Sequence, residues 1–392
     1  MVLSQICRQL RVNSLGTPEL WQAITVESAR HGRAPNPSMV GLWMSRAGIL
    51  PRDISFTTRD IERGTQILEA SLEYSLQWRD VELKVPMESY APLVNHHGPF
   101  PFLRSLRLSM NSGVWEGQAT VPVQGAPLLR ELIITDFPAV TADVAWGQLT
   151  TLRMDVHEAA PGISILQHCT SLVDLHFALL DPIRTLPSIP PVILPSLRSL
   201  FTAARSILPF VTTPGLEELN IWGLGFSGDI NAVTASLQAL LARSDPPLRI
   251  LCFRVPNIDA AAFQAFLQAA STSVVELILT LHFPTGLDTL ISVLQDASLL
   301  PALTTLRIVE QSRAAADTMP FDAVLGTVRA RREVSPGRAS LQLFSMSLYN
   351  RGSESEARVP PLSVLGKFNA LADEGLRVRI ANHAGVLVDR QT

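Results

Sequence analysis

The chain has 392 residues, 47% apolar and 17% charged, a composition that builds a core and is too poor in charge for disorder. Its 32 basic and 35 acidic side chains leave a formal net charge of −3, which offers no electrostatic footprint for a nucleic acid or an anionic bilayer. Apolar runs fall far short of the roughly 20 residues of a membrane span. The first residues lack a secretory-signal pattern, and Cys7, Cys169 and Cys252 cannot build a disulfide framework. Neither a nucleic-acid nor a membrane partner is expected, and a reducing compartment, cytoplasmic or nuclear, fits best.

From the N-terminus, residues 1–25 carry Ile6-Cys7-Arg8, Leu10 and then Pro18-Glu19-Leu20-Trp21. This segment resembles the second half of an F-box, in which a Leu/Val-x-x-Val-Cys-Arg-x-Trp helix precedes a Pro-x-Leu-Trp turn; Leu10 stands where Trp is usual. Trp43 to Pro51 resembles the helix ending in a Ser-Gly-Leu-Pro-like turn that often follows in fungal F-box proteins, and Ser75 to Val81 the strand beginning His-x-x-x-Trp-Arg that comes after it. The resemblance implies a Skp-type adaptor and cullin as partners, with Ile6, Leu10, Leu20 and Trp21 as the adaptor-contacting residues. The Leu-Pro-x-Glu helix that opens an F-box is not found, so the expectation is either an upstream start or a lost adaptor contact. Residues 26–77 read as a helical linker, with Ile61, Leu68, Leu72 and Leu76 on one face of a helix opening near Thr57 or Thr58.

Beyond residue 100 an apolar-x-x-apolar-x-apolar triplet recurs. It runs through Leu103-Leu106-Leu108, Leu129-Leu132-Ile134, Leu149-Leu152-Met154, Leu172-Leu175-Phe177 and Leu197-Leu200-Thr202. It continues at Leu216-Leu219-Ile221, Leu248-Leu251-Phe253, Val274-Leu277-Leu279 and Leu303-Leu306-Ile308. Weaker copies stand at Trp78-Val81-Leu83 and Leu341-Phe344-Met346. The two-residue step is strand periodicity, and between later strands the apolar spacing turns helical, as at Phe263, Phe266, Leu267 and Ala270, with Asp229 and Asp259 as candidate caps. A strand–loop–helix unit of about 25 residues is similar to the leucine-rich repeat. The Asn or Cys that the family places after the strand is matched only by Asn111; the position otherwise holds Phe137, His157, Leu180, Arg205, Leu224 or Pro256. The expected fold is therefore an α/β irregular leucine-rich-repeat solenoid over residues 78–392 with a C-terminal cap, following a short helical N-terminal region.

No common catalytic motif is present, and neither the His96-His97 pair nor His168, Cys169 and His176 has the ligand set of a zinc site. Neither an enzyme, a cofactor nor a metal is expected. Arg329-Ala330-Arg331-Arg332 reads as a solvated helix end, and Arg351 to Glu356 as a linker. In a repeat of this kind the residues between the apolar strand positions project from the concave sheet. Those are Arg107, Ile133, Arg153, His176, Phe201, Asn220, Cys252, Ile278 and Arg307, with Trp222 and Arg254 alongside. Aromatic and arginine side chains are enriched at protein–protein hot spots, whereas irregular repeats could instead tilt Phe201 and Ile278 inward. The expected function is that of a non-enzymatic substrate receptor for a cullin ubiquitin ligase, binding a protein target on this face. The alternative is a free-standing interaction scaffold with a degenerate F-box.

Overall fold

The structure is a computed structural model. It describes residues 8–27, 36–110, 121–123, 125–135, 142–156, 159–179, 190–203, 207–222, 230–255, 260–270, 273–281, 287–310, 319–333, 338–348, 360–382 and 385–390. The chain is mixed α/β with mostly parallel strands and divides into two compact units, Met1–Leu194 and Pro195–Thr392.

In the first unit the elements are α1 (Arg8–Leu15), β1 (Ala23–Glu27), α2 (Pro37–Arg46), β2 (Arg52–Thr57), α3 (Ile61–Leu72) and β3 (Trp78–Val85), followed by β4 (Ser105–Met110), β5 (Glu131–Thr135), β6 (Thr151–Val156), α4 (Ala159–Leu166) and β7 (Asp174–Leu179). Strands β1 to β7 pair in sequence order, parallel throughout. Val81, Leu106, Leu132, Leu152 and Leu175 share one register row, and all are buried. The order is what period-two strands joined by returning connections require, because a parallel neighbour is reached only by a crossover.

The second unit repeats the scheme with β8 (Ser199–Ala203), β9 (Glu218–Trp222), α5 (Ile230–Ser244), β10 (Ile250–Val255), α6 (Ala260–Ala269), β11 (Glu276–Leu281), α7 (Leu287–Val293), β12 (Thr305–Glu310), α8 (Phe321–Arg332), β13 (Leu343–Leu348), α9 (Leu362–Asp373), β14 (Arg377–Asn382) and β15 (Gly385–Arg390). Strands β8 to β14 are parallel and β15 returns antiparallel on β14. Helices cover one face. Phe253 of β10 packs against Phe263 and Phe266 of α6, with ring centroids 6.3 and 4.3 Å away, and Phe344 of β13 stacks on Phe368 of α9 at 5.2 Å. The three residues of every triplet, the two weaker copies included, are buried.

The helical reading of residues 26–77 is corrected by β2, and β1 reaches into the same region. Arg52–Thr57 alternates buried and half-buried residues, and Ile24 and Val26 are the inward residues of β1. Trp21-Ile24-Val26 and Pro51-Ile54-Phe56 have the spacing of the later triplets, but a tryptophan and a proline in the first place hide it. Helix α3 opens at Ile61 behind Asp60, whose side chain accepts from the Arg63 N–H. Ile67, Leu68 and Leu72 are buried, whereas Ile61 and Leu76, expected on the apolar face, are exposed. The inner rows of the first unit's sheet thus include β1 and β2. Asp229, Asp259, the post-strand positions from Asn111 to Pro256, and the Arg351–Glu356 segment lie outside the described residues.

Turns between strands leave carbonyl groups that need donors, and long arginines supply them. Arg331 on α8 is 3% exposed. Its Nε, Nη1 and Nη2 donate to the carbonyls of Leu294, Leu300 and Asp296 at 2.6, 3.2 and 2.9 Å. Burial lowers its pKa to about 10, so it stays charged at neutral pH. The reading of this run as a solvated helix end is thereby corrected: Arg331 is a clamp on the preceding turn, and Arg332 donates to the carbonyls of Leu371 and Glu374. Arg52 does the same for Met44 and Gly48, and Arg243 for Leu208 and Val211. At the end of α9, Gly375 at φ +92° lets the Leu376 N–H close on the Leu371 carbonyl.

Among the described residues no helix is long and apolar enough to cross a membrane. Replacing Arg331 by Ala should destabilise the protein by about 3 kcal/mol, because the buried Leu294 carbonyl loses its donor and the carbonyls of Leu300 and Asp296 keep only one backbone N–H each, and Arg331→Lys should recover only part of this. Urea denaturation of the three proteins measures it; an Arg331→Ala midpoint equal to wild type would show that water replaces the clamp at no cost.

Candidate protein-interaction face

Every strand turns alternate side chains away from the helix-covered side, and the register lines these up in rows. In the first unit one row runs Ser55, Glu82, Arg107, Ile133, Arg153, His176, and the next runs Asp53, Asp80, Ser105, Glu131, Thr151, Asp174. All but Ser105 are half-buried or exposed. Several are already engaged. Arg79 makes a two-pronged pair with Asp53 at 2.8 and 2.6 Å, and Arg107 reaches Glu131 at 2.8 Å. Burial and the nearby Asp53 raise the pKa of Asp80 above the ordinary carboxylate value, and burial and Glu131 do so for Asp174. Asp53, Asp80, Glu82, Arg107 and Glu131 line an open hollow of about 450 Å³ on this face.

Sequence reasoning put Arg107, Arg153 and His176 here, and the register places all three in one row. Arg107 and Arg153 are exposed. His176 is not: its side chain is 17% exposed, with Nε2 4.0 Å from Asp155 Oδ1. Burial first, and then the Arg153 charge, lower its pKa to about 4. The acidic row was missed, although its signal, Asp or Glu two residues before four of the six central positions, stands in the sequence.

In the second unit the matching row is Phe201, Asn220, Cys252, Ile278, Arg307, Ser345, Arg379. Phe201 and Ile278 are half-buried, as are Asn220 and Cys252, while Arg307 is exposed and pairs with Glu276 at 2.7 Å. Burial raises the Cys252 thiol to about 11, so it is protonated and unreactive at neutral pH. Phe201, Trp222 and Arg254, chosen separately from the sequence, meet. The two rings lie 5.7 Å apart, and the Arg254 guanidinium sits 5.8 Å over the Trp222 ring. Their contact follows from register: Asn220 faces both Phe201 and Cys252, and Trp222 and Arg254 stand two residues further along β9 and β10.

The adaptor-contacting residues divide differently. Ile6 and the side chain of Leu10 lie outside what the structure describes. Leu20 is 54% exposed, whereas Trp21 is 6% exposed. The Trp21 indole N–H donates to the Ser14 carbonyl at 2.7 Å, seven residues back at the end of α1, and the Arg46 guanidinium lies 4.6 Å over its ring. Trp78 repeats this after α3, with its N–H on the Ser71 carbonyl at 3.1 Å, again seven residues back. Trp21 therefore fills the first position of an inner row. Cys169 is buried and Cys252 is half-buried, and no group of metal-binding side chains occurs among the described residues.

No known protein-family model matches this sequence, and no curated protein matches it significantly.

Two measurements follow from these placements. Trp21→Ala should cost about 3–5 kcal/mol as a core truncation, while Leu20→Ala should stay within about 0.5 kcal/mol of wild type; equal losses in chemical denaturation would reject the difference in burial. For His176, the folded value near 4 lies below the unfolded 6.5, so the unfolded state binds the proton first and stability falls as pH drops from 6.5 toward 4. Between pH 7 and pH 4.5 wild type should lose about 2–3 kcal/mol relative to His176→Gln, read from paired urea curves. Parallel pH dependence in both proteins would show that the imidazole titrates normally.

Proposed function

We propose that this chain is a non-enzymatic protein receptor of the F-box and leucine-rich-repeat kind, holding a protein target on the outward face of its sheets. The observation that carries this reading is the Phe201–Trp222–Arg254 cluster on a face whose opposite side is fully committed to the core. Aromatic and arginine side chains stacked together offer a large contact area with little rotamer entropy to lose, and such residues dominate binding energy at interfaces. The strand–helix unit, repeated with its apolar rows in register, is what a leucine-rich solenoid is made of, and this supports reading each unit as an irregular leucine-rich array.

The ligase side of the proposal rests on the likeness of residues 1–25 to an F-box. Leu20 is available for an adaptor. Trp21 serves instead as the joint between α1 and β1, tying the adaptor-binding segment to the first strand of its own unit. In this reading a Skp-type adaptor and a cullin hold the N-terminal segment, in the cytoplasm or nucleus. The second reading, a scaffold without ligase partners, is favoured by the burial of Trp21, which removes one apolar anchor from the adaptor surface.

Two experiments separate them. Target binding, measured on proteins recovered from the native source, should fall 10- to 100-fold in Trp222→Ala combined with Arg254→Ala while the thermal midpoint changes little. An unaltered set of bound proteins would remove the cluster as the target site. Pull-down with purified Skp-type adaptor should succeed when a Leu-Pro-x-Glu helix is fused ahead of Met1 and be weak without it. Failure of both forms would favour the scaffold.

A further inference from the structure

The C-terminal end of the second unit carries a feature that protein recognition by the aromatic cluster does not use. Arg377 and Arg379 lie two residues apart on β14 and therefore share its outward face. Arg379 stands in register with Ser345 of β13, and Ser345 with Arg307 of β12. At about 4.8 Å per strand, the Arg307 and Arg379 backbones are about 10 Å apart, with a side chain of only two heavy atoms between them. Long guanidinium arms thus rise on both sides of a low floor. Arg307, Ser345, Arg377, Arg379, Asp389 and Arg390 line a hollow of about 220 Å³ there.

Charge is unevenly spent in this hollow. Arg307 is paired with Glu276 at 2.7 Å, and Arg390 lies 3.8 Å from Asp373 of α9. Arg377 and Arg379 are exposed and form no ion pair among the described residues, although Asp389 of β15 stands opposite Arg379 in register and offsets part of its charge. Like charges held on one face repel unless an anion joins them, and guanidinium forks bind oxyanions through paired N–H donors. A carboxylate has two oxygens, which a single fork can satisfy. A phosphomonoester presents three terminal oxygens and a charge near −2, so it can take donors from Arg307, Arg377 and Arg379 at once, with the Ser345 hydroxyl beneath. The volume admits a phosphate group with part of its carrier.

We propose that this hollow on β12–β14 is a binding site for a phosphomonoester. The site needs nothing from the receptor reading and stands or falls apart from it. The phosphate could come from a free small molecule or from a phosphorylated side chain, and the two sources are told apart by their probes.

The test uses the full chain and four probes at matched ionic strength: inorganic phosphate, acetate, and a short Gly-Ser peptide with and without phosphate on its serine. Calorimetry or fluorescence anisotropy should show phosphate binding with at least tenfold preference over acetate. The phosphopeptide should exceed its unmodified form by a similar factor. Arg377→Ala with Arg379→Ala should abolish the preference, and replacement of both by Lys, which keeps charge but loses the fork, should recover only part of it. Both positions are exposed, and an unchanged thermal midpoint confirms that the variants fold. Binding of phosphate alone with no gain from the peptide would assign the site to a small molecule, and a further gain from the peptide to a phosphorylated polypeptide. Equal responses to phosphate and acetate, or an alanine variant that binds like wild type, would overturn the proposal. Retention of phosphate binding in the Trp222→Ala, Arg254→Ala protein would show the two sites to be separate.

Discussion

A strand in a parallel sheet hands its backbone N–H and C=O groups to both neighbours, and each neighbour holds it to one register. A slip of one residue would turn Leu106, Leu132 and Leu152 outward and bring Arg107, Ile133 and Arg153 into the core. The apolar pair on each strand, two residues apart, is what forbids the slip. Everything on the outward side, including which side chains become neighbours across strands, is inherited from that inward constraint.

Parallel pairing has a consequence for the connections. The chain must return to the starting end of the sheet after each strand, and the turns and short helices that bring it back end in carbonyl groups away from water. Here the donors are long side chains: Arg243, Arg331 and Arg332 reach turns and helix ends well separated from them in sequence, and Arg52 reaches back to the nearby end of α2. Trp21 and Trp78 close the ends of α1 and α3 in the same way with their indole N–H groups. Each clamp ties the covering layer to its neighbour, so the layer is held by polar bonds as well as by apolar packing. The cost of burying a guanidinium is met by several carbonyl acceptors at once, as for Arg331.

The outward rows differ between the units in their chemistry. In the first unit acidic side chains prevail and two of them are held by Arg79 and Arg107, leaving a shallow, mixed-charge hollow. In the second unit an aromatic pair with an arginine above it lies toward β8–β10, and arginines gather on β12–β15. The aromatic cluster and the arginine-lined hollow thus occupy different strands of the second unit's outward face.

By itself the sequence determined the inner rows, because burial selects apolar residues at period two and that choice is written in every triplet from Leu103 to Ile308. It also determined the outward position of Arg107, Arg153, Asn220 and Arg307, since alternation leaves the intervening residue no other side. Strands β1, β2 and β14 were hidden where Trp21, Pro51 and Gly375 occupy a place that leucine holds elsewhere, for a periodicity read by residue type fails when packing accepts another shape. Only the tertiary structure decided which outward residues meet. Phe201 touches Trp222 and Trp222 lies under Arg254 because three strands distant in sequence share a register. Arg379 comes into one row with Arg307, across Ser345, for the same reason. It alone buried Trp21 and Arg331, whose partners are backbone carbonyls. A carbonyl is present at every residue and leaves no mark in the sequence, so only the folded chain shows which of them such a side chain will find.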